Sequence, residues 1–162
     1  MASRVTELIA GARCLSGSER RELARAWFEL PAVWLALRVL PARRLLAPPR
    51  HGTATPQPPA DGVAAARAAA RLVRAAGRVS PFPSTCPSRS PGPPSTCLTR
   101  SIVLSRLLRR RGLAAEIRIG VRRGEGPFAA HAWVEVDGEA VSDDAGVSDR
   151  HEAFAESLAP TS

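Results

Sequence analysis

Apolar residues in the first third of the chain recur at helical spacing. Leu23, Trp27, Leu30, Trp34, Leu37 and Val39 follow one another at roughly three- and four-residue intervals. Ser16 and Glu19 have the spacing of a capping box and mark where this helix starts. Pro31 and Pro41 are expected to kink or divide it. Residues 1–47 therefore read as a helical layer covering a core, in preference to a docking surface for a partner or a membrane. Residues 48–60, PPRHGTATPQPPA, form a Pro-rich linker in which His51 is an exposed loop residue. Asp61 can cap a second helix running to about Gly77, whose apolar face is mostly Ala with Val63, Leu72 and Val73 and suits close packing.

A Pro-rich insertion at about 80–94 contains one copy of a short repeat. PSTCPSRS at residues 83–90 returns as PSTCLTRS at residues 94–101, eleven positions later. Prolines 87, 91, 93 and 94 prevent a long helix after Cys86. After Cys97 the run LTRSIVLSRLLRRRG has no proline and an apolar stripe at Val103, Leu104, Leu107 and Leu108. Ser95 or Thr96 can cap its start, and Arg109–Arg111 followed by Gly112 suit its end.

The period then changes from helical to alternating. Ile117, Ile119 and Val121 alternate with Glu116, Arg118 and Gly120, as in a half-buried strand. Residues 129–136 form a second strand, Asp137-Gly138 is a hairpin turn, and Glu139–Ser142 is a short returning strand. Helices followed by an antiparallel sheet make an α+β domain, with residues 61–162 as its core.

Composition narrows the function class. The chain has 162 residues, 44% hydrophobic, with no Lys, Asn or Tyr, so its 23 basic residues are all Arg. The net charge of +8 reads as solvated helix faces plus codon bias. No aromatic platform interleaves with the arginines, which argues against a nucleic-acid partner. Cys14, Cys86 and Cys97 have no metal-ligand spacing, and no secretion signal is legible, so a reduced, cytoplasmic setting and no cofactor are expected. The apolar stretch from Trp27 to Ala47 is broken by Glu29 and Arg38, and its longest uncharged run falls well short of the ~20 residues of a spanning helix. Its Trp and Arg content leaves peripheral membrane contact open.

A cysteine reacts as its thiolate, which the free N–H groups of a helix start stabilise. Cys97 occupies that position, although a lone cysteine is commonly an inert buried residue. His131 begins the segment HAWVEVDG, with His131, Trp133 and Glu135 on one strand face and Ala132, Val134 and Val136 on the other. It is a candidate base, although a strand histidine is more commonly structural. Asp143 and Asp144 follow the hairpin as candidates to orient its ring. A two-residue turn places residue 144 opposite His131 and pairs Val134 with Val141. A three-residue turn places residue 143 there, at the cost of setting Glu135 against Glu139. Geometry alone leans slightly to Asp144.

The run STCLTRSIVLSRLLRRRGLAAEIRIGVRRGEGPFAAHAWVEVDGEAVSDD, Ser95 to Asp144, closely resembles the B proteins of lasso-peptide biosynthesis, which are transglutaminase-like leader peptidases. The earlier segment LPAVWLALRVLPARRL resembles them more weakly. The resemblance implies a papain/transglutaminase-like core with a Cys-His-Asp triad of Cys97, His131 and Asp143. It implies cleavage of a leader from a lasso precursor peptide, recognition of that leader by a small winged-helix protein, and ring closure by a separate ATP-using cyclase. The first 80 residues show no winged-helix pattern, so the chain resembles the stand-alone peptidase half. Two features depart from the family. The duplicated PSTC segment stands just before Cys97, and Gln57 is the only Gln, so no side-chain amide is at hand to bind an oxyanion.

Overall fold

The computed structural model describes residues 15–46, 59–79, 96–122, 129–143 and 146–154. Helix α1 spans Gly17–Val39. The Ser16 hydroxyl accepts the Glu19 N–H, and the Glu19 carboxylate accepts the Ser16 N–H at 2.8 Å, closing the capping box expected from the sequence. Pro31 lies inside α1 and does not divide it. Ala26, Leu30 and Val33 are buried on either side of it along the opposite face, and that burial carries the helix through the missing N–H. The break falls at Leu40, which is extended because Pro41 follows it. The expected Trp stripe is also displaced. Trp27 and Val39 are exposed, and the smaller Ala26 and Val33 occupy the core positions.

A single turn-and-a-half, α2 (Ala42–Leu46), buries Leu45 and Leu46. Helix α3 (Gly62–Val79) starts on Asp61, whose carboxylate accepts the Ala64 N–H at 2.9 Å, and continues two residues past Gly77. Ala66, Ala69, Ala70 and Ala76 are all buried. Helix α4 (Thr96–Arg110) is the centre of the helical layer, burying Ile102, Val103, Leu104, Leu107 and Leu108. It ends at Gly112, whose φ of 77° lets the Leu113 N–H return to the Leu108 carbonyl at 3.1 Å. Ser95 and the side chain of Thr96, the expected caps of α4, lie outside the described residues.

The arginines ending α4 are only partly exposed, where the reading from charge has helix faces in solvent. Arg109 donates to the carbonyls of Ala115 and Leu46, Arg110 to Glu29 at 2.6 Å, and Arg111 to Glu22 and the Ala65 carbonyl. They tie α4 to α1, α2 and α3, so part of the positive charge is consumed internally.

Strands β1 (Ala115–Arg122), β2 (Ala130–Val136), β3 (Glu139–Ala140) and β4 (His151–Ala153) form one antiparallel sheet in the order β3-β2-β1-β4. Asp137 and Gly138 both have positive φ, as a two-residue hairpin turn demands, and Val136 pairs with Glu139. Ile117, Val134 and Val136 pack with the helices in the main core. Trp133, Ala140 and Val147 make a smaller cluster on the other face. Val147 belongs to α5 (Val147–Arg150), a short turn that leads into β4. Neither α5 nor β4 is legible in the alternation pattern.

Candidate active site

The three residues singled out from the sequence line one cleft of about 270 Å³. Cys97 enters it from the first turn of α4, as a buried, 4% exposed thiol outside any disulfide. His131 enters from the start of β2, and Asp143 from the segment after β3. His131 Nε2 is 3.0 Å from Asp143 Oδ2. Cys14, Cys86, His51, Gln57 and Asp144 lie outside the described residues.

The turn is the two-residue one, whose register sets residue 144 opposite His131, yet Asp143 makes the bond. The reason is that the ladder stops early. Val141 N–H still donates to the Val134 carbonyl, but Val134 N–H is taken by the Ser142 hydroxyl at 2.9 Å. With a side chain replacing the backbone acceptor, the chain leaves the sheet after Val141 and bends, bringing Asp143 to the imidazole. Arg74 of α3 donates to the Ser142 carbonyl and holds that bend.

The hydrogen bond from His131 holds the Asp143 carboxyl below its usual range, helped by the charges of His131, Arg74 and Arg100 and opposed by partial burial. Asp143 is thus a carboxylate at neutral pH and accepts the Nε2 proton. In the neutral imidazole Nδ1 then carries the lone pair and can act as a base. A carboxyl with a lowered folded-state pKa stabilises the fold above its ordinary value of 3.8, and that contribution disappears as pH falls through the folded value. Asp143→Asn should therefore lose thermal stability less steeply than the wild-type chain when acidified from pH 5 to pH 3. Parallel unfolding midpoints across that range would count against the pairing.

Several site residues have no motif of their own. The Ser101 hydroxyl, one turn below Cys97, donates to the Ala132 carbonyl at 3.1 Å. It fixes the cysteine's helix to the residue adjoining His131. The Ala/Arg pattern of α3 suggested packing only, yet α3 supplies Ala70, Val73 and Arg74 to the cleft wall. His151 in β4 lies against His131, with ring centroids 5.2 Å apart, and its Nδ1 donates to the Val147 carbonyl at 3.1 Å. Gly120, paired with both His131 and Ala153, makes room for the β4 backbone and the Trp133 ring. A Cβ there would lie 2.6 Å from the Glu152 carbonyl oxygen and 3.0 Å from the Trp133 ring. The signals were Ser101 four residues after Cys97 and a glycine within an otherwise regular strand. Among the described residues, no group of three or more His, Cys, Asp or Glu is arranged to hold a metal ion.

The sequence profile of the transglutaminase-like superfamily matches residues 26–159, most of the chain. The chain belongs to that superfamily. The match runs from within α1 through β4 and agrees with the α+β architecture. Within the superfamily, the chain is similar to the microcin J25-processing protein McjB of Escherichia coli, with 42% identity over 62 residues. That match covers 38% of this chain and 29% of the relative, so the chain spans under a third of the relative's length. No solved structure gives a significant match.

Proposed function

We propose that this transglutaminase-like chain is a cysteine peptidase that removes the leader from a ribosomally made lasso-peptide precursor, before a separate cyclase closes the macrolactam. The observation that carries this reading is the His131–Asp143 hydrogen bond inside the cleft that Cys97 lines from the start of α4. The similarity to a microcin-processing protein supplies the substrate class.

Nδ1 of His131 takes the Cys97 thiol proton, and the sulfur attacks the scissile carbonyl carbon. Backbone N–H groups at the start of α4 stabilise the oxyanion, the task for which the sequence offers no side-chain amide. The C–N bond breaks as the imidazolium returns its proton to the leaving amine. Water, deprotonated by the same nitrogen, then releases the leader as a free acid and restores the thiol. Asp143 keeps the ring in the tautomer this cycle needs.

A small leader-recognition protein presenting the precursor and the cyclase that receives the product complete the proposed set of partners. Reduced thiol chemistry fits a cytoplasmic setting. Among the described residues no helix is long and apolar enough to cross a membrane.

The test is mass spectrometry of the candidate precursor with the recognition protein, with and without this chain, in water enriched in oxygen-18. The expected result is a free leader carrying one heavy oxygen in its new carboxyl group. An unchanged precursor, with the peptide bound, would instead identify a catalytically silent peptide-binding subunit. A leader joined to an added amine would identify an acyltransferase.

A further inference from the structure

Helix α1 has a second face that the core does not use. Large exposed hydrophobic residues concentrate there: Phe28 is 67% exposed, Leu35 58% and Val39 73%, with Trp27 and Leu40 partly exposed beside them. Phe28, Leu35 and Val39 recur at seven and four residues, so they share one side of the helix, opposite Ala26, Leu30 and Val33. Trp27 and Phe28 pack edge to face at 4.9 Å, and the Arg38 guanidinium lies 3.9 Å from the Trp34 ring centre. A run of this size on one helix is more than scattered surface hydrophobicity.

Among the described residues of α1, the exposed charged side chains are all arginines. The acids of α1 are engaged elsewhere: Glu19 closes the cap with Ser16, Glu22 meets Arg111, and Glu29 meets Arg110 and Arg25. Arg20, Arg21, Arg25 and Arg38 are exposed, with Arg25 sharing Glu29 with Arg110. Arg21 and Arg25 stand seven and three residues before Phe28, on the same side of α1, and Arg38 directly precedes Val39. An apolar strip rimmed by arginines suits a surface with hydrocarbon beneath a layer of negative charge. It stands out from a single helix as a convex ridge, which a deformable lipid surface accommodates without a matching groove.

We propose that the exposed face of α1 docks on an anionic membrane surface. Phe28, Leu35 and Val39 lie in the interfacial layer, with Trp27 and Trp34 at headgroup depth and the arginines on lipid phosphates. The helix lies along the surface. This inference is independent of the peptidase chemistry, because it concerns binding by the face opposite the core and is read without any cleavage assay.

The test is co-sedimentation of the full chain with vesicles of phosphatidylglycerol and phosphatidylcholine, compared with phosphatidylcholine alone. Binding should require the anionic lipid, weaken with added salt, and shift tryptophan emission to the blue as Trp27 leaves water. Phe28→Ser with Leu35→Ser should lower the partition coefficient by about tenfold or more, since each apolar side chain is withdrawn from the interface. Arg21→Ser with Arg25→Ser should lower it too, and provides a readout that leaves the apolar strip intact, since Glu29 keeps Arg110 as a partner. Far-UV circular dichroism checks that both pairs remain folded. The proposal is overturned by equal binding to neutral vesicles, by wild-type binding in both paired variants, or by a chain that stays in the supernatant. Self-association without vesicles that is lost in the Phe28/Leu35 pair would also overturn it and assign the face to a second copy.

Discussion

Cys97→Ala should abolish leader cleavage, by about 10⁴-fold or more in kcat, while Cys86→Ala leaves the rate near wild type. The contrast is informative because the two cysteines sit in near-identical octapeptides. Their surroundings differ in what can follow each thiol. Cys97 lies in the first turn of α4, a fifteen-residue helix whose dipole favours a thiolate at that end. Cys86 is followed by four prolines within eight residues. Cys97 also shares a cleft with His131 and Asp143 and is locked to β2 through Ser101. Loss of the sulfur removes the nucleophile but only one buried atom from the core, so the unfolding midpoint should move little. Peptide release followed by liquid chromatography and mass spectrometry gives both rates. A dead Cys86 variant beside an active Cys97 variant would transfer the nucleophile to the first repeat.

Trp133→Ala should cost about 3–5 kcal/mol of stability, the largest effect expected from any single change outside the helical core. Trp133 is fully buried, and its Nε1 donates to Glu135 Oε1 at 2.8 Å. Its ring packs over Gly120 and beside both His131 and His151, with centroids 6.4 and 6.1 Å away. Removing it empties the smaller core and leaves both imidazoles without a wall. Trp133→Phe keeps a six-membered ring in the core and loses the rest of the indole together with its N–H donor. Glu135 would still accept Arg118 at 3.1 Å, so a cost of about 1–2 kcal/mol is expected. Urea unfolding of the two variants gives both costs. A loss below about 1 kcal/mol for the alanine variant would mean this face is not a core.

The elements legible in the sequence were those whose signal is local. The Ser16–Glu19 box, the Asp61 cap, the proline-free run after Cys97 and the Asp137-Gly138 turn each act within a few residues, and each has its expected effect. What was missed depends on partners distant in sequence. Strand β4 is three residues long, too short for alternation to register. It exists through pairing with β1, where Gly120 meets Ala153 and the Phe154 N–H reaches the Ile119 carbonyl. The arginines of α4 looked like a charged helix end because Glu22, Glu29 and the carbonyl of Leu46 lie more than sixty residues earlier. The aspartate shows a subtler limit. Of the two turns the sequence left open the two-residue one forms, but the residue bonded to His131 is decided by a hydroxyl that ends the ladder.

Helix α3 fits the same account from another side. Its buried alanines at 66, 69, 70 and 76 could be put down to a genome rich in alanine codons. In the fold they let α3 pack closely on both α1 and α4, and the same helix carries Arg74 to the Asp143 segment. The spacing of α3 from α4 is one width of the cleft, which Ala70, Val73 and Arg74 line from α3 and Cys97 and Ser101 from α4. Drift toward valine or leucine at the buried alanines should push α3 outward and widen the cleft on that side. The alanine content of this helix is a tolerance on the machinery, and related chains with bulkier residues there should show compensating reductions on the facing sides of α1 or α4.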